Sequence, residues 1–200
     1  VTDRLAVQLR GGFAEALATQ ALSGGGTDVE ALRSQAFAEE PEYTVDQAIS
    51  LKVAAFGENI VLKRLALLEA DGDGRLGSYV HMGGKIGVCV QVTAAVSEDA
   101  LHDVALHIAA SDPRFVSRAA VPATVVESER EIARQQSRAE GKPEQIIERI
   151  VNGRVEKYFA DMVLLEQPFA KDPSTTVGKY LQSVGGAGAT VVAFVRFRLG

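Results

Sequence analysis

Two short stretches carry residue types that could hold an ion or a phosphate. Residues 71–75, DGDGR, offer carboxylates of the kind that bind Ca²⁺, but Arg75 breaks the pattern of a calcium loop and the closing Glu is missing. Residues 83–87, GGKIG, are rich in glycine, yet they lack the Gly-Lys-Ser/Thr ending of a phosphate loop. The sequence therefore predicts turns at both places, at 71–74 and at 83–84, and no ion site.

The other candidates for chemistry are three histidines and one cysteine: His81, His102, His107 and Cys89. A zinc site needs several such side chains at close spacing, and that spacing is missing. No Ser/His/Asp nucleophile arrangement can be argued from the sequence either. We therefore predict no catalytic residue, no metal site and no cofactor. An enzyme with a diffuse site in the core is the least favoured function class.

Charge and composition exclude further classes. The formal charge of −5 argues against nucleic acid as a direct ligand, because such a ligand favours a basic patch. No apolar run approaches the roughly 20 residues that span a bilayer, and the first residues show no signal-peptide pattern. A single cysteine excludes an internal disulfide and fits a reducing compartment. We expect a cytoplasmic chain that makes no contact with membranes.

An amphipathic helix over residues 98–111 is the element that must position these candidates. Its apolar face consists of Leu101, Val104, Ala105 and Ile108. Ser97 is the predicted N-cap, and Asp112-Pro113 ends the helix because the residue before a proline is pushed out of the α region. His107 lies beside the apolar face, so we expect it at the edge of a contact surface. A histidine whose hydrogen bonds are satisfied within the fold is the alternative.

The first half of the chain reads as helices followed by strands. The predicted helices are 1–22, 29–37 (capped by Thr27-Asp28) and 45–55 (ended by Gly57), and the predicted strands are 59–69, 76–82 and 85–94. Short turns between consecutive strands favour an antiparallel meander. The helix at 98–111 would then lie across this sheet.

The second half of the chain begins with a charged, Gln-rich stretch. Two helices, 123–140 and 144–160, are predicted around the break at 141–143, and together they form an antiparallel helical hairpin. Its arms are too polar to be buried all round. The hairpin therefore either projects into solvent or offers its narrow apolar stripe to a partner.

The end of the chain returns to the core. Residues 162–169 are predicted to be extended, and Ser174 or Thr175 caps a helix that runs to about 184. Residues 190–199 alternate as a strand with one face towards water and rejoin the sheet. The predicted fold class is α+β: a small antiparallel sheet flanked by helices, with a protruding antiparallel helical (coiled-coil) hairpin.

Seven segments of the chain resemble the translation elongation factor Ts family in order and spacing. They are GENIVLKR at 57–64, KIGVCVQV at 85–92, ALHIAASDPRFVS at 105–117, VPATVVESEREI at 121–132, EGKPEQIIERIVNGRVEKYF at 140–159, LLEQPFAKDPSTTV at 164–177 and VVAFVRFRLG at 191–200. TDVEALRSQ at 27–35 extends the match weakly towards the front. Such an ordered set is far more specific than any single motif.

The resemblance implies a guanine-nucleotide exchange factor without covalent chemistry. Its partner would be elongation factor Tu, both GDP-bound and nucleotide-free, in a bacterial cytoplasm or an organelle matrix. The implied organisation is a helical remnant of a first core subdomain at 1–56, an α+β subdomain at 57–121 and 161–200, and a helical hairpin at 122–160. The family's N-terminal helical module has no counterpart in this sequence.

Four residues match partner-binding positions of the family. Ile86-Gly87 correspond to an Ile-Gly pair at the partner interface, and His107 corresponds to an interface histidine. Asp3, in Thr2-Asp3, is what remains of a front motif of the type Asn-Cys-Glu-Thr-Asp-Phe-Val. For Ile86 a core strand residue is the alternative, whereas Gly87 inside a strand indicates close approach of another backbone.

The front motif departs from the family at Arg4, which stands where the family carries Phe. This departure favours an alternative function: a binding or dimerisation scaffold of the same fold in which exchange is impaired. The helical hairpin would then join two copies of the chain as a homodimer.

Overall fold

A three-stranded antiparallel sheet forms the centre of the larger core in the computed structural model. It consists of β3 (Arg75–His81), β4 (Ile86–Val92) and β7 (Val191–Arg198). β4 lies in the middle and pairs with β3 on one side and β7 on the other. The structure describes residues 3–5, 11–24, 26–70 and 72–199. The predicted antiparallel pairing of the second and third strands and the return of the last strand to their sheet are confirmed. The first strand of the predicted meander is not part of this sheet, because residues 68–70 pair with residues 3–5 instead.

Seven α-helices are assigned within the described residues. They are α1 (Gly11–Gly24), α2 (Val29–Arg33), α3 (Val45–Phe56), α4 (Glu98–Ser111), α5 (Ala123–Ala139), α6 (Glu144–Met162) and α7 (Val177–Gly185). The remaining strands form two antiparallel pairs, β1 (Asp3–Leu5) with β2 (Leu68–Ala70) and β5 (Pro168–Phe169) with β6 (Asp172–Thr176). The α+β class predicted from the sequence is confirmed.

The helix α4 covers one face of the sheet. Alternate residues of β4 point towards it and share its buried cluster: Ile86, Val88, Val90 and Val92. The opposite face of the sheet carries Cys89, Val195 and Phe197, and it borders a cleft of about 920 Å³ that α1 and residues 58–68 also line. Nearly every residue of β4 is buried because both of its faces are covered.

Local signals set both ends of α4 where the sequence predicted them. The Ser97 hydroxyl accepts a hydrogen bond from the Ala100 N–H at 3.2 Å, which satisfies one of the free amides of the first turn. At the other end Asp112 takes a left-handed conformation, with φ of 48°, and its N–H donates to the Ile108 carbonyl. Pro113 follows directly, so the helix cannot continue.

The strand β3 and the helix α4 approach most closely at Gly77. A Cβ atom at this position would lie 2.9 Å from the Leu101 Cβ and 3.4 Å from the Val90 Cγ1. Real Cβ atoms do not come this close to carbon, so the absence of a side chain lets the helix sit directly on the strand.

The prediction of a helix over residues 1–22 is wrong at its start. Residues 3–5 form β1, whose register pairs Asp3 with Ala70 and Leu5 with Leu68. The described part of the helix, α1, runs from Gly11 to Gly24. Residues 1–2 and 6–10 lie outside the described residues, so the rest of that prediction is not tested.

Two other elements predicted in the first half of the chain are shorter in the structure than in the prediction. The helix predicted at 29–37 ends at Arg33, because Ala36 pairs with Thr44 and the Phe37 N–H donates to the Tyr43 carbonyl at 2.8 Å. Within the described residues the strand predicted at 59–69 is shorter, because β2 begins at Leu68 and residues 59–67 lie in neither a helix nor a strand. The third helix ends as predicted, with Gly57 in a left-handed C-cap at φ of 68°.

The end of the chain also differs from the prediction in detail. Residues 162–169 are not extended throughout, because α6 continues to Met162 and a 3₁₀ turn, Leu164–Glu166, follows. The helix α7 is capped by Thr176, whose hydroxyl accepts from the Lys179 N–H at 3.3 Å. Neither Ser174 nor Thr175 is the cap, because α7 begins at Val177 and Thr176 is the residue directly before it.

The predicted water-facing side of the last strand is wrong as well. The Arg196 guanidinium, which the alternation placed on that side, is mostly buried. It donates to the Ala109 carbonyl at 3.1 and 3.2 Å and forms an ion pair with Asp112 at 2.9 Å. The C-terminal end of α4 therefore covers this part of β7 and neutralises its charge.

The helices α5 and α6 pack along each other through a small core of Ala133, Ile147 and Val151. Ion pairs flank this core, with Arg134 to Glu148 at 2.9 Å and Arg138 to Glu144 at 2.7 Å. No helix among the described residues is both long enough and apolar enough to cross a membrane.

Arg118 connects α6 to the larger core. Its guanidinium binds Glu156 of α6 at 2.6 Å and Glu166 of the 3₁₀ turn at 2.5 Å, and it lies 4.5 Å from the centre of the Phe159 ring. The side chain is half exposed, so water screens these ion pairs and each contributes little to stability.

Candidate partner-binding site

Ile86 and Gly87 are the first two residues of the central strand. Ile86 lies between His81 of β3 and Arg198 of β7, and Gly87 lies between Val80 and Phe197. Both are buried, and Ile86 joins the cluster that packs against α4. These two residues therefore lie under the exposed β3–β4 turn and are not themselves part of the exposed surface.

The turn that leads into β4 presents apolar side chains to solvent. Met82 is 61% exposed, and Val80 beside it is half exposed. Met82, Gly83 and Gly84 all have positive φ angles, of 51°, 62° and 92°. Positive φ costs a side-chain-bearing residue roughly 1 kcal/mol or more, and such strain is often found at functional sites. The turn therefore presents an exposed apolar tip next to Ile86 and Gly87.

His107 lies inside the fold and not at the edge of a surface, so the prediction of its exposure is wrong. The side chain is 0% exposed. Its Nδ1 accepts the Ala170 N–H at 3.1 Å, and its Nε2 lies 2.9 Å from the Gln167 Oε1. The ring also packs against Phe169, with the ring centres 5.9 Å apart. The geometry matches the alternative, a histidine whose hydrogen bonds are satisfied within the fold.

The structure places Ile86, Gly87 and His107 in the larger core. Ile86 belongs to the same buried cluster as Ile108, the residue that follows His107 on α4. Asp3 lies in the β1–β2 pair, where it is placed opposite Ala70, and β1 contacts β3. The candidate site is therefore built around the β3–β4 turn, and Asp3 and His107 are assigned to it by resemblance alone.

The sequence did not single out Gln167, which is 4% exposed and holds His107 in place. A polar side chain between the apolar pairs Leu164-Leu165 and Pro168-Phe169 was the available signal. The hydrogen-bonding partner of a buried amide comes from another part of the chain, so its identity could not be found from local spacing.

The described part of the chain contains no cluster of three or more His, Cys, Asp or Glu side chains that could hold a metal ion. Burial raises the pKa of the Cys89 thiol to about 12, so the thiol stays protonated and is a poor ligand and nucleophile at neutral pH.

Burial lowers the pKa of His107 below its usual 6.5, and the hydrogen bond to Gln167 opposes this only in part. The unfolded chain therefore binds a proton near pH 6 that the folded chain does not bind. The stability that this histidine confers is complete above pH 6.5 and is lost as the pH falls through the lowered pKa. We expect the free energy of unfolding to decrease by up to about 1.4 kcal/mol per pH unit in this window.

Urea unfolding at pH 7, 6 and 5 measures this dependence. His107→Gln should flatten it, whereas His102→Gln, which alters an exposed histidine on the same helix, should leave it unchanged. Glu131, Glu144 and Glu148, whose hydrogen bonds and ion pairs lower their pKa values, lose their contribution only below about pH 4.5. An equal slope in wild type and His107→Gln would contradict the prediction.

Comparison with known proteins identifies the family. The family model described as "Elongation factor TS" matches residues 11–200. The elongation factor Ts of Prosthecochloris aestuarii is 42% identical over 199 residues, which cover 94% of this chain and 68% of that protein. Those of Alcanivorax borkumensis and Thioalkalivibrio sulfidiphilus are each 43% identical, again over 94% of this chain, and the chain covers 63% and 61% of their lengths. The chain thus spans about two thirds of the curated relatives it matches, and it belongs to the elongation factor Ts family.

Proposed function

We propose that this chain binds elongation factor Tu and promotes the release of GDP and Mg²⁺ during protein synthesis. The match of the elongation factor Ts family to residues 11–200 is the observation that carries the proposal. The exposed tip at Met82, held over a buried Ile86-Gly87 pair, supports it as a surface suited to a protein partner.

The proposed activity needs no covalent chemistry. A chain that binds the nucleotide-free partner more tightly than the GDP-bound partner must weaken GDP binding by the same factor, because coupled equilibria are reciprocal. A 10⁴-fold effect corresponds to a difference of about 5.5 kcal/mol between the two affinities. A few well-buried contacts at an interface can supply a difference of this size.

Within this proposal, Asp3, Ile86, Gly87 and His107 all belong to the partner-binding region. Ile86 and Gly87 hold the β3–β4 turn against the partner, and the β1 segment with Asp3 makes a second contact. The helices α5 and α6 would form a protruding coiled-coil hairpin at 122–160. Residues 1–56 would belong to a first core subdomain, and residues 57–121 with 161–200 would form the second.

The bacterial origin of the relatives supports a cytoplasmic location for the proposed activity. Binding of elongation factor Tu without faster nucleotide release would instead support the exchange-impaired scaffold. A homodimer formed through the helical hairpin would support it too.

Release of a fluorescent GDP analogue from elongation factor Tu tests the proposal. We expect wild-type chain to accelerate release, and Met82→Asp to reduce the affinity for the GTPase at least about tenfold, because it places a charge in the centre of an apolar contact. Val61→Asp is the matched control, since Val61 is 66% exposed and lies outside helices and strands.

Wild-type chain that neither binds elongation factor Tu nor accelerates release would overturn the proposed function. Equal loss of affinity in Met82→Asp and Val61→Asp would show that the β3–β4 turn is not a specific part of the contact surface. The proposal that the chain promotes nucleotide exchange would not be affected.

A further inference from the structure

His107 and Gln167 form a hydrogen-bonded unit that joins several elements, and we call this unit the His107–Gln167 joint. The Gln167 carboxamide donates to the Asp161 carbonyl of α6 at 2.7 Å and reaches towards the Ser111 carbonyl of α4 at 3.4 Å. Its Oε1 faces the His107 Nε2 at 2.9 Å. The joint therefore lies where α4, the end of α6 and the β5–β6 pair meet.

Two backbone groups fix the direction of every hydrogen bond in the joint. The Ala170 N–H can only donate, so the His107 Nδ1 must accept. The Asp161 carbonyl can only accept, so the NH₂ group of Gln167 must face it and the Oε1 must face His107. The histidine is consequently neutral and carries its proton on Nε2, because a proton on Nδ1 would oppose the Ala170 N–H.

The main chain of Gln167 takes part as well. Its N–H donates to the Val163 carbonyl, and its carbonyl accepts from the Val177 N–H that starts α7, both at 3.1 Å. The groups of the joint are almost completely buried, so water cannot replace a lost bond. Each bond therefore contributes to the position of the segments that it connects.

The joint holds the end of α6 at a second point. The Met162 carbonyl already accepts the N–H groups of Arg114 and Phe115 at 2.9 and 3.1 Å. The N–H groups of Leu164 and Leu165 also donate to the carbonyls of Phe115 and Val116, at 2.8 and 3.2 Å. All of these bonds hold the chain from the last residue of the helix onwards, and none of them reaches back into the helix. The bond from Gln167 to the adjacent Asp161 carbonyl does reach back, and it fixes the direction of the helix. The ion pairs of Arg118 are half exposed and screened by water, so they cannot replace it.

We propose that the His107–Gln167 joint sets the direction in which the α5–α6 pair leaves the core, and that His107 influences partner binding through this joint and not by touching the partner. The second half of this inference rests on the proposed function. His107 and Gln167 are positioning residues, because both are buried and act through α6 and the β5–β6 turn.

Electron spin-echo distance measurements between two spin labels test the first half. Labels are attached through Lys142→Cys, at the far end of the helical pair, and Glu98→Cys, at the start of α4. Both sites are exposed, and the buried Cys89 thiol stays protonated and does not compete for the label. We expect one narrow distance distribution in the wild-type background. Gln167→Met should broaden it, and Gln135→Met, which alters an exposed glutamine of α5, should not.

A second pair of variants provides an independent test in case Gln167→Met does not fold. The amide of His107→Gln can replace the donor at Nε2, and the amide of His107→Asn can replace only the acceptor at Nδ1. We expect His107→Asn to broaden the distribution more than His107→Gln does. Nitrogen-15 NMR of the wild-type imidazole should also report the Nε2-protonated form. A proton on Nδ1, or a distribution that Gln167→Met leaves unchanged, would overturn the joint.

Binding to elongation factor Tu tests the second half with the same proteins. We expect Gln167→Met to weaken binding about tenfold while the release rate at saturation changes by less than about twofold, because the contact surface is intact but less well pre-organised. A broadened distribution with unchanged affinity would overturn the functional half. If wild-type chain does not bind at all, the proposed function fails, and the distance measurements still decide the joint.

Discussion

Replacing Val151 with Asp is expected to separate α5 from α6 and to cost more stability than any other change considered. Val151 is fully buried in the small core with Ala133 and Ile147. The introduced carboxyl would have to stay protonated at pH 7, about three pKa units above its usual value, at a cost of about 4 kcal/mol. Loss of the buried valine surface adds about 1.5–3 kcal/mol.

Hydrogen exchange followed by NMR measures this effect by region. In Val151→Asp we expect the amides of α5 to lose their protection while those of α4 and β4 keep it, because the two cores are separate clusters. Asn152→Asp introduces the same group one position along, on the exposed side of α6, and should change stability by less than about 0.5 kcal/mol. Unchanged protection of α5 in Val151→Asp would show that the helices do not depend on this core.

The second large effect is expected for Gly77→Ala in the sheet. The added methyl group would lie 2.9 Å from the Leu101 Cβ, which is fixed to the helix backbone and cannot rotate away. The helix α4 must therefore shift from the sheet, at a cost of about 1–3 kcal/mol. For a chain of this size, each kcal/mol lowers the melting temperature by about 2–4 °C, which circular dichroism detects.

For Gly153→Ala, the same type of substitution at another position, we expect an increase in stability. Gly153 lies within α6, and a Cβ there would meet no atom within 4 Å. Alanine favours the helix over glycine by about 0.8–1 kcal/mol, so this variant should be more stable than wild type. If Gly77→Ala were as stable as Gly153→Ala, the close contact between β3 and α4 would not require a glycine at position 77.

Elements whose limits depend on neighbouring residues could be predicted from the sequence. The limits of α4 follow from the Ser97 hydroxyl and from Asp112-Pro113, which act within one helical turn. The limits of α3 follow in the same way from a local cap and from Gly57. Such signals depend on backbone geometry alone, so the rest of the chain cannot override them easily.

Features that depend on distant residues could not be predicted. Helical periodicity placed His107 beside an apolar face, but its partners Gln167 and Ala170 come 60 and 63 positions later. The Leu-rich stretch before Leu68 has the composition of a strand, yet the pairing described for this part of the chain begins at Leu68, opposite Leu5 of β1. Arg196 fits a water-facing position by alternation until the end of α4 supplies its acceptors.

The candidate site also combines features that could be predicted from the sequence with features that could not. Resemblance to a family assigned Ile86, Gly87 and His107 to partner binding from the order of motifs along the chain. Their exposure depends on how α4, β7 and the β5–β6 pair cover them, and this is a property of the folded core. The exposed residue of the region, Met82, carries no sequence signal beyond the glycines that follow it.

The order of strands in the sheet has a consequence during synthesis on the ribosome. The middle strand β4 meets β3 at once, but residues 93–190 are made before β7 appears on its other side. At about 5–20 residues per second, this delay lasts on the order of 5–20 s. Throughout it, β4 carries an open edge of unpaired N–H and C=O groups, which can pair with strands of other nascent chains. Chaperone demand for this protein should therefore be greatest in that interval.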